Sequence, residues 1–60
     1  MNVKELIDKF IFECEYHIYS KDDDLSDIFS YKEICENDWL EKQVIDWQMD
    51  NGSNVLWIDI

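Results

Sequence analysis

The chain holds a single glycine and no proline. That glycine, Gly52, sits in the run Asp50-Asn51-Gly52-Ser53-Asn54, which is turn chemistry. On either side the sequence alternates. Between Val44 and Met49, the residues Ile45, Trp47 and Met49 share one face. Between Val55 and Ile60, Leu56, Ile58 and Ile60 share another. Two period-two apolar runs around such a turn predict a β-hairpin. Pairing them buries one apolar face, with Trp47 and Ile58 inside, and leaves Asp46, Gln48 and Asp59 outside. The rest of the chain must therefore cover one side of a sheet.

The preceding residues supply the cover and more strands. Asn2 with Glu5 three positions on is a capping box, and Val3, Leu6, Ile7 and Phe10 fall on one helical face. A short helix is expected from Asn2 to about Lys9. From Phe10 to Tyr19 the pattern changes to period two, with Phe10, Phe12, Cys14, Tyr16 and Ile18 on one side. Its β-branched and aromatic content favours a strand. A helical stripe through Ile7, Phe10, Ile11, Cys14 and Ile18 competes with it. Lys21-Asp22-Asp23-Asp24 reads as a polar turn, and Leu25 to Phe29 as a return strand. Ser30 with Glu33 forms a second capping box. It opens a helix expected to reach about Leu40, with Tyr31, Ile34, Cys35 and Leu40 inward. The order α-β-β-α-β-β predicts an α+β fold in one domain, residues 1–60, with two short helices packed on one side of a small antiparallel sheet.

With 60 residues, 47% of them apolar and 15% aromatic, the chain is too rich for a disordered acidic tail. Its core is small, and stability should be modest. Cys14 and Cys35 are too few for a secreted disulfide scaffold. They read as free thiols in a reducing compartment, with a single bridge left open. Neither a signal peptide nor a spanning segment is evident, so a cytoplasmic protein is expected.

Fifteen acids stand against five lysines, for a formal charge of -10. Such a field excludes nucleic acid and anionic membranes as direct ligands and favours basic partners. It exceeds the roughly 2 to 8 charges that keep a small domain soluble.

Catalytic chemistry finds little support. His17 is the only histidine. On a strand it would face away from Cys14, which disfavours a nucleophile pair. Asp22, Asp23, Asp24 and Asp27 crowd one turn, but lack the alternate spacing and glycine of a calcium loop. Two cysteines and one histidine fall short of the usual zinc set. No cofactor, metal or enzymatic activity is expected.

The acids themselves carry the stronger signal. Glu13 and Glu15 would lie about 6.6 Å apart on one strand face. Asp22, Asp23, Asp24 and Asp27 follow, then Glu33, Glu36 and Asp38 on the second helix. A row of carboxylates at that spacing approximates backbone phosphates, and a simple solvated acidic surface is the alternative. These nine acids, with Trp39, form the candidate partner-binding set. Three tryptophans exceed what so small a core hides easily. An exposed Trp39 or Trp57 would mark an interface, either as a homodimer or as an adaptor.

The opening Met1-Asn2-Val3-Lys4-Glu5-Leu6-Ile7, the segment Glu15-Tyr16-His17-Ile18-Tyr19 and the closing hairpin from Val44-Ile45-Asp46-Trp47 to Trp57-Ile58-Asp59-Ile60 are the features of a wider likeness. Along its whole length the chain resembles the small acidic early proteins of bacteriophages of Gram-positive bacteria. That resemblance implies an inhibitor in the host cytoplasm, of anti-CRISPR or anti-restriction type. It would occupy the nucleic-acid site of a CRISPR effector, a restriction enzyme or a repair enzyme. These inhibitors share no common signature, so the resemblance assigns no residue a role.

Overall fold

The computed structural model describes residues 1–10 and 14–60. Its elements run α1 (Val3–Ile7), β1 (Glu15–Ser20), β2 (Leu25–Phe29), α2 (Tyr31–Glu36), β3 (Asp46–Asp50) and β4 (Val55–Asp59). The α+β class and the element order are those expected from the sequence. The four strands lie in the order β2-β1-β4-β3. Each hairpin is antiparallel, whereas β1 and β4 pair in parallel, so the sheet is mixed. This arrangement places at the centre β1 and β4, the two strands with fully buried residues. The edges fall to β2 and β3, which carry Asp27, Asp46 and Asp50.

Both helices begin as their sequences dictate. The Asn2 side chain accepts from Glu5 N–H at 2.8 Å, and Glu5 accepts in return from Asn2 N–H at 3.0 Å. Ser30 and Glu33 make the same reciprocal pair at 3.2 and 3.0 Å. Two further N–H groups in the first turn of α1, those of Val3 and Lys4, donate to Lys42 and Leu40 carbonyls at 3.0 and 2.9 Å. Orphan donors of the helix start are thereby satisfied by the segment leading into β3.

α1 buries Val3, Leu6 and Ile7, and α2 buries Ile34. They meet Tyr16, Ile18, Leu56 and Ile58 from one face of the sheet, and this cluster is the core. Phe10, Cys14, Phe29, Trp39 and Leu40 pack around it partly buried.

Several expectations are corrected. The long strand from Phe10 is shorter: β1 starts at Glu15, and Phe10 instead stacks edge-on against Trp47 with ring centroids 5.7 Å apart. Ile11, Phe12 and Glu13 lie outside the described residues. α2 ends at Glu36, four residues before Leu40. There Asn37 Nδ2 donates to the Glu33 carbonyl at 2.8 Å, and Asp38 takes a left-handed φ of 61°. Tyr31 and Cys35, expected inward, are exposed on a helix only six residues long. The hairpin register is as expected, with Trp47 opposite Ile58 and Met49 opposite Leu56. Trp47 is nevertheless 41% exposed, because β3 is an edge strand, and Ile45, just before it, is 79% exposed. The sole glycine is not the residue that makes the turn. Asn54 supplies the left-handed φ, at 57°, while Asp50 gathers the turn's donors.

Candidate functional site

Because helices cover one face of the sheet, the alternation of each strand leaves the other face open. The register sets that face in rows. One row runs Ile28, His17, Trp57, Gln48 across all four strands, and the next runs Ser26, Tyr19, Asp59, Asp46. At about 4.8 Å per strand, a row is roughly 14 Å long. Tyr19, Ile28 and Trp57 keep 42, 45 and 42% of their surface in solvent. Glu15 and Asp50 flank Val55 in a third row. None of the four strands contains a lysine.

His17 anchors the middle of this face. Its ring lies 4.2 Å from that of Trp57, tilted by 31°, and Nε2 is 3.2 Å from Ser26 Oγ. Nδ1 is buried with no hydrogen-bond partner among the described residues. A proton on Nδ1 would bury an unpaired N–H, at a cost of about 1–3 kcal/mol. The neutral form therefore carries its proton on Nε2 and donates to Ser26 Oγ. In that tautomer His17 cannot take the Ser26 proton. Among the described residues no carboxylate orients the ring, and the geometry is that of a fixed aromatic platform.

Asp46 and Asp59 stand directly opposite each other across β3 and β4. Together with Trp47, Gln48 and Trp57 they line a groove of about 230 Å³. A neighbouring cleft of about 270 Å³ is lined by Tyr19, Lys21, Asp22, Ile45, Asp59 and Ile60. Asp50 receives hydrogen bonds from Ser53 Oγ at 2.9 Å, Ser53 N–H at 3.4 Å and Gly52 N–H at 3.0 Å. These donors hold its carboxyl below the ordinary value, so it is firmly anionic.

The acids singled out in the sequence do not form one row. Glu15 lies on the open face beside Asn54, whose carbonyl accepts its N–H at 3.0 Å. Asp22, Asp23 and Asp24 occupy the turn at the opposite end of β1, some 20 Å away by strand rise. Asp27 takes the helix-side face of edge strand β2, its Oδ1 accepting from Ile28 N–H at 2.8 Å. Glu33 and Glu36 belong to α2, and Asp38 to the turn after it. Glu13 lies outside the described residues. Trp39 is half-buried and meets Phe29 edge-on with ring centroids 4.8 Å apart, which makes it part of the core margin and not an exposed anchor. The open-face residues outside that set are Tyr19, Ile28, His17 and Trp57, of which Trp57 is the tryptophan expected as an interface marker if exposed. The signal for them was present in the strand alternation, which puts His17 and Tyr19 opposite Tyr16 and Ile18.

Cys14 and Cys35 are free thiols, and burial pushes that of Cys14 up against an opposing hydrogen bond with Tyr16. Among the described residues, no group of three potential ligands could hold a metal ion, and no helix is long and apolar enough to cross a membrane. No protein-family model matches the chain, and no curated protein or solved structure matches it significantly.

Proposed function

We propose that this protein is a non-enzymatic acidic binder of a basic macromolecule. The partner is a nucleic-acid-binding protein of the cell in whose cytoplasm it acts, such as a CRISPR effector, a restriction enzyme or a repair enzyme. It inhibits that partner by covering the surface that otherwise receives phosphates. The observation that carries this reading is how little of the negative charge is met within the fold. Of fifteen acids, only Asp8 and Glu36 are ion-paired among the described residues, with Lys4 at 3.0 Å and Lys32 at 3.9 Å. Both pairs are exposed, and in both the lysine lies N-terminal to the acid, the weaker order on a helix. The remaining field is available to a partner and steers its approach.

A second reading, an interaction module working through exposed aromatics, is favoured by Tyr19, Ile28 and Trp57 on the open face. The two are compatible if the aromatic face contacts the basic partner. The test is affinity capture from a bacterial lysate at about 50 and 500 mM salt, followed by competition of each captured protein with duplex DNA. Basic nucleic-acid-binding proteins, released by salt and displaced by DNA, are the expected result. Capture that ignores both salt and DNA would overturn the reading.

A further inference from the structure

The open sheet face and the unmet charge meet at one place, the groove beside Trp57. Asp46 and Asp59 are like charges directly opposite on one face, an arrangement that destabilises a sheet unless a cation comes between them. Beside them, in the neighbouring row, lie the indole of Trp57, backed by His17, and the amide of Gln48. Tyr19 stands directly beside Asp59 in the same row, and Ile45 lines the cleft that adjoins them. Flat aromatic surface next to paired carboxylates is the chemistry that recognises a guanidinium or ammonium group on an aliphatic stem. The stem packs on the ring, the charge sits over or beside its face, and the carboxylates accept its hydrogen bonds.

We propose that the open face, centred on Trp57, Tyr19, Asp46 and Asp59, is the docking surface for an arginine- or lysine-bearing segment of another protein. This rests on the proposed function and names where and how the basic partner is held. Charge selects this occupant over a second copy. The ionised side chains in the rows of this face are acidic, with Lys21 lining only the cleft at its end, so a two-fold dimer would crowd Asp46, Asp59, Glu15 and Asp50 against the same acids of its partner. Strand addition at the sheet edges is also disfavoured. Edge strand β2 turns Ile28 N–H to the Asp27 carboxylate, and edge strand β3 turns Trp47 N–H to that of Asp46, each at 2.8 Å. The partner is thus received on the face.

The probe is a fluorescein-labelled, acetylated hexa-arginine amide, titrated with the protein by fluorescence anisotropy at about 50 mM salt. Saturable binding is expected. The Trp57→Thr/Tyr19→Thr variant should bind about tenfold more weakly, since threonine suits strands and both positions face away from the core. Asp46→Asn/Asp59→Asn should weaken binding clearly more than Asp8→Asn/Asp38→Asn, which removes the same charge from the ends of the two helices on the covered side of the sheet. Gln48→Arg places a cation in the groove itself. It should weaken binding about tenfold while every aromatic remains, and it keeps the test open if the threonine pair loses its cooperative melt. Equal losses from the two aspartate pairs, with no effect of Gln48→Arg, would overturn the docking surface yet leave a basic partner held by the general field. Absence of saturable binding would also overturn it, as would a dimer in sedimentation that Trp57→Thr/Tyr19→Thr dissolves.

Discussion

On one side of the sheet Tyr16, Ile18, Leu56 and Ile58 are buried; one position along the same strands, His17, Tyr19 and Trp57 turn the other way and stay within reach of solvent. The covered face is mostly aliphatic at its centre, sealed by two helices whose starts are fixed by capping boxes. The open face is aromatic and acidic. The first kind of surface does nothing but exclude water, and its removal should destroy the fold. The second stays exposed and should contribute little to stability, as the docking surface proposed above requires.

The sharpest way to break this comparison is to truncate neighbours in β4. Ile58→Ala removes a fully buried side chain and should cost about 2–5 kcal/mol, most or all of the stability of so small a domain. Trp57→Ala, one residue away, should cost about 0.5–1.5 kcal/mol, the value of its stacking on His17. Thermal melts by circular dichroism would show it, and equal losses would mean that the two faces do not differ. Ser30→Ala tests the cover, and losing that cap should cost about 1 kcal/mol. On the open face, Asp59→Asn should raise stability by a few tenths of a kcal/mol, because it relieves the opposition to Asp46. A variant that melts higher while binding the arginine probe less would separate the work of the two faces in one substitution.

The smallest effect concerns acid. Asp50 titrates below its ordinary value of 3.8 in the folded chain, owing first to Ser53. It therefore contributes stability above the unfolded value, and that contribution fades as pH falls through the folded one. Between about pH 6 and pH 2, Asp50→Asn should lose less stability to urea than the wild type. Identical pH profiles would show that the hydrogen bonds to Asp50 do not form.

The hairpin of β3 and β4 and both capping boxes were legible because their signals are local: alternation, turn residues, and a side chain three positions from its cap. Burial was not legible at the edges. Trp47 shares a face with Ile58, but whether that face is covered depends on where its strand falls in the sheet. Nothing in the local pattern says that β1 and β4 pair in parallel and push β3 outward. The end of α2 was misjudged for a related reason, since Leu40 does pack on the core but from beyond the helix. The acids were read as a row because they follow one another in sequence. The fold separates Glu15 from Asp22 by the length of β1 and brings Asp46 opposite Asp59, two residues far apart in the chain.

The central claim, that Trp57 meets the partner while Trp39 supports the core, can be tested in a single sample. Protein labelled with 5-fluorotryptophan carries three fluorine signals, one for each of Trp39, Trp47 and Trp57, assigned by single substitution. On titration with the hexa-arginine amide, the Trp57 signal should shift progressively to saturation, and the Trp39 signal should stay in place. A shift of Trp39 without Trp57, or three unmoved signals at peptide concentrations that saturate the anisotropy, would contradict it.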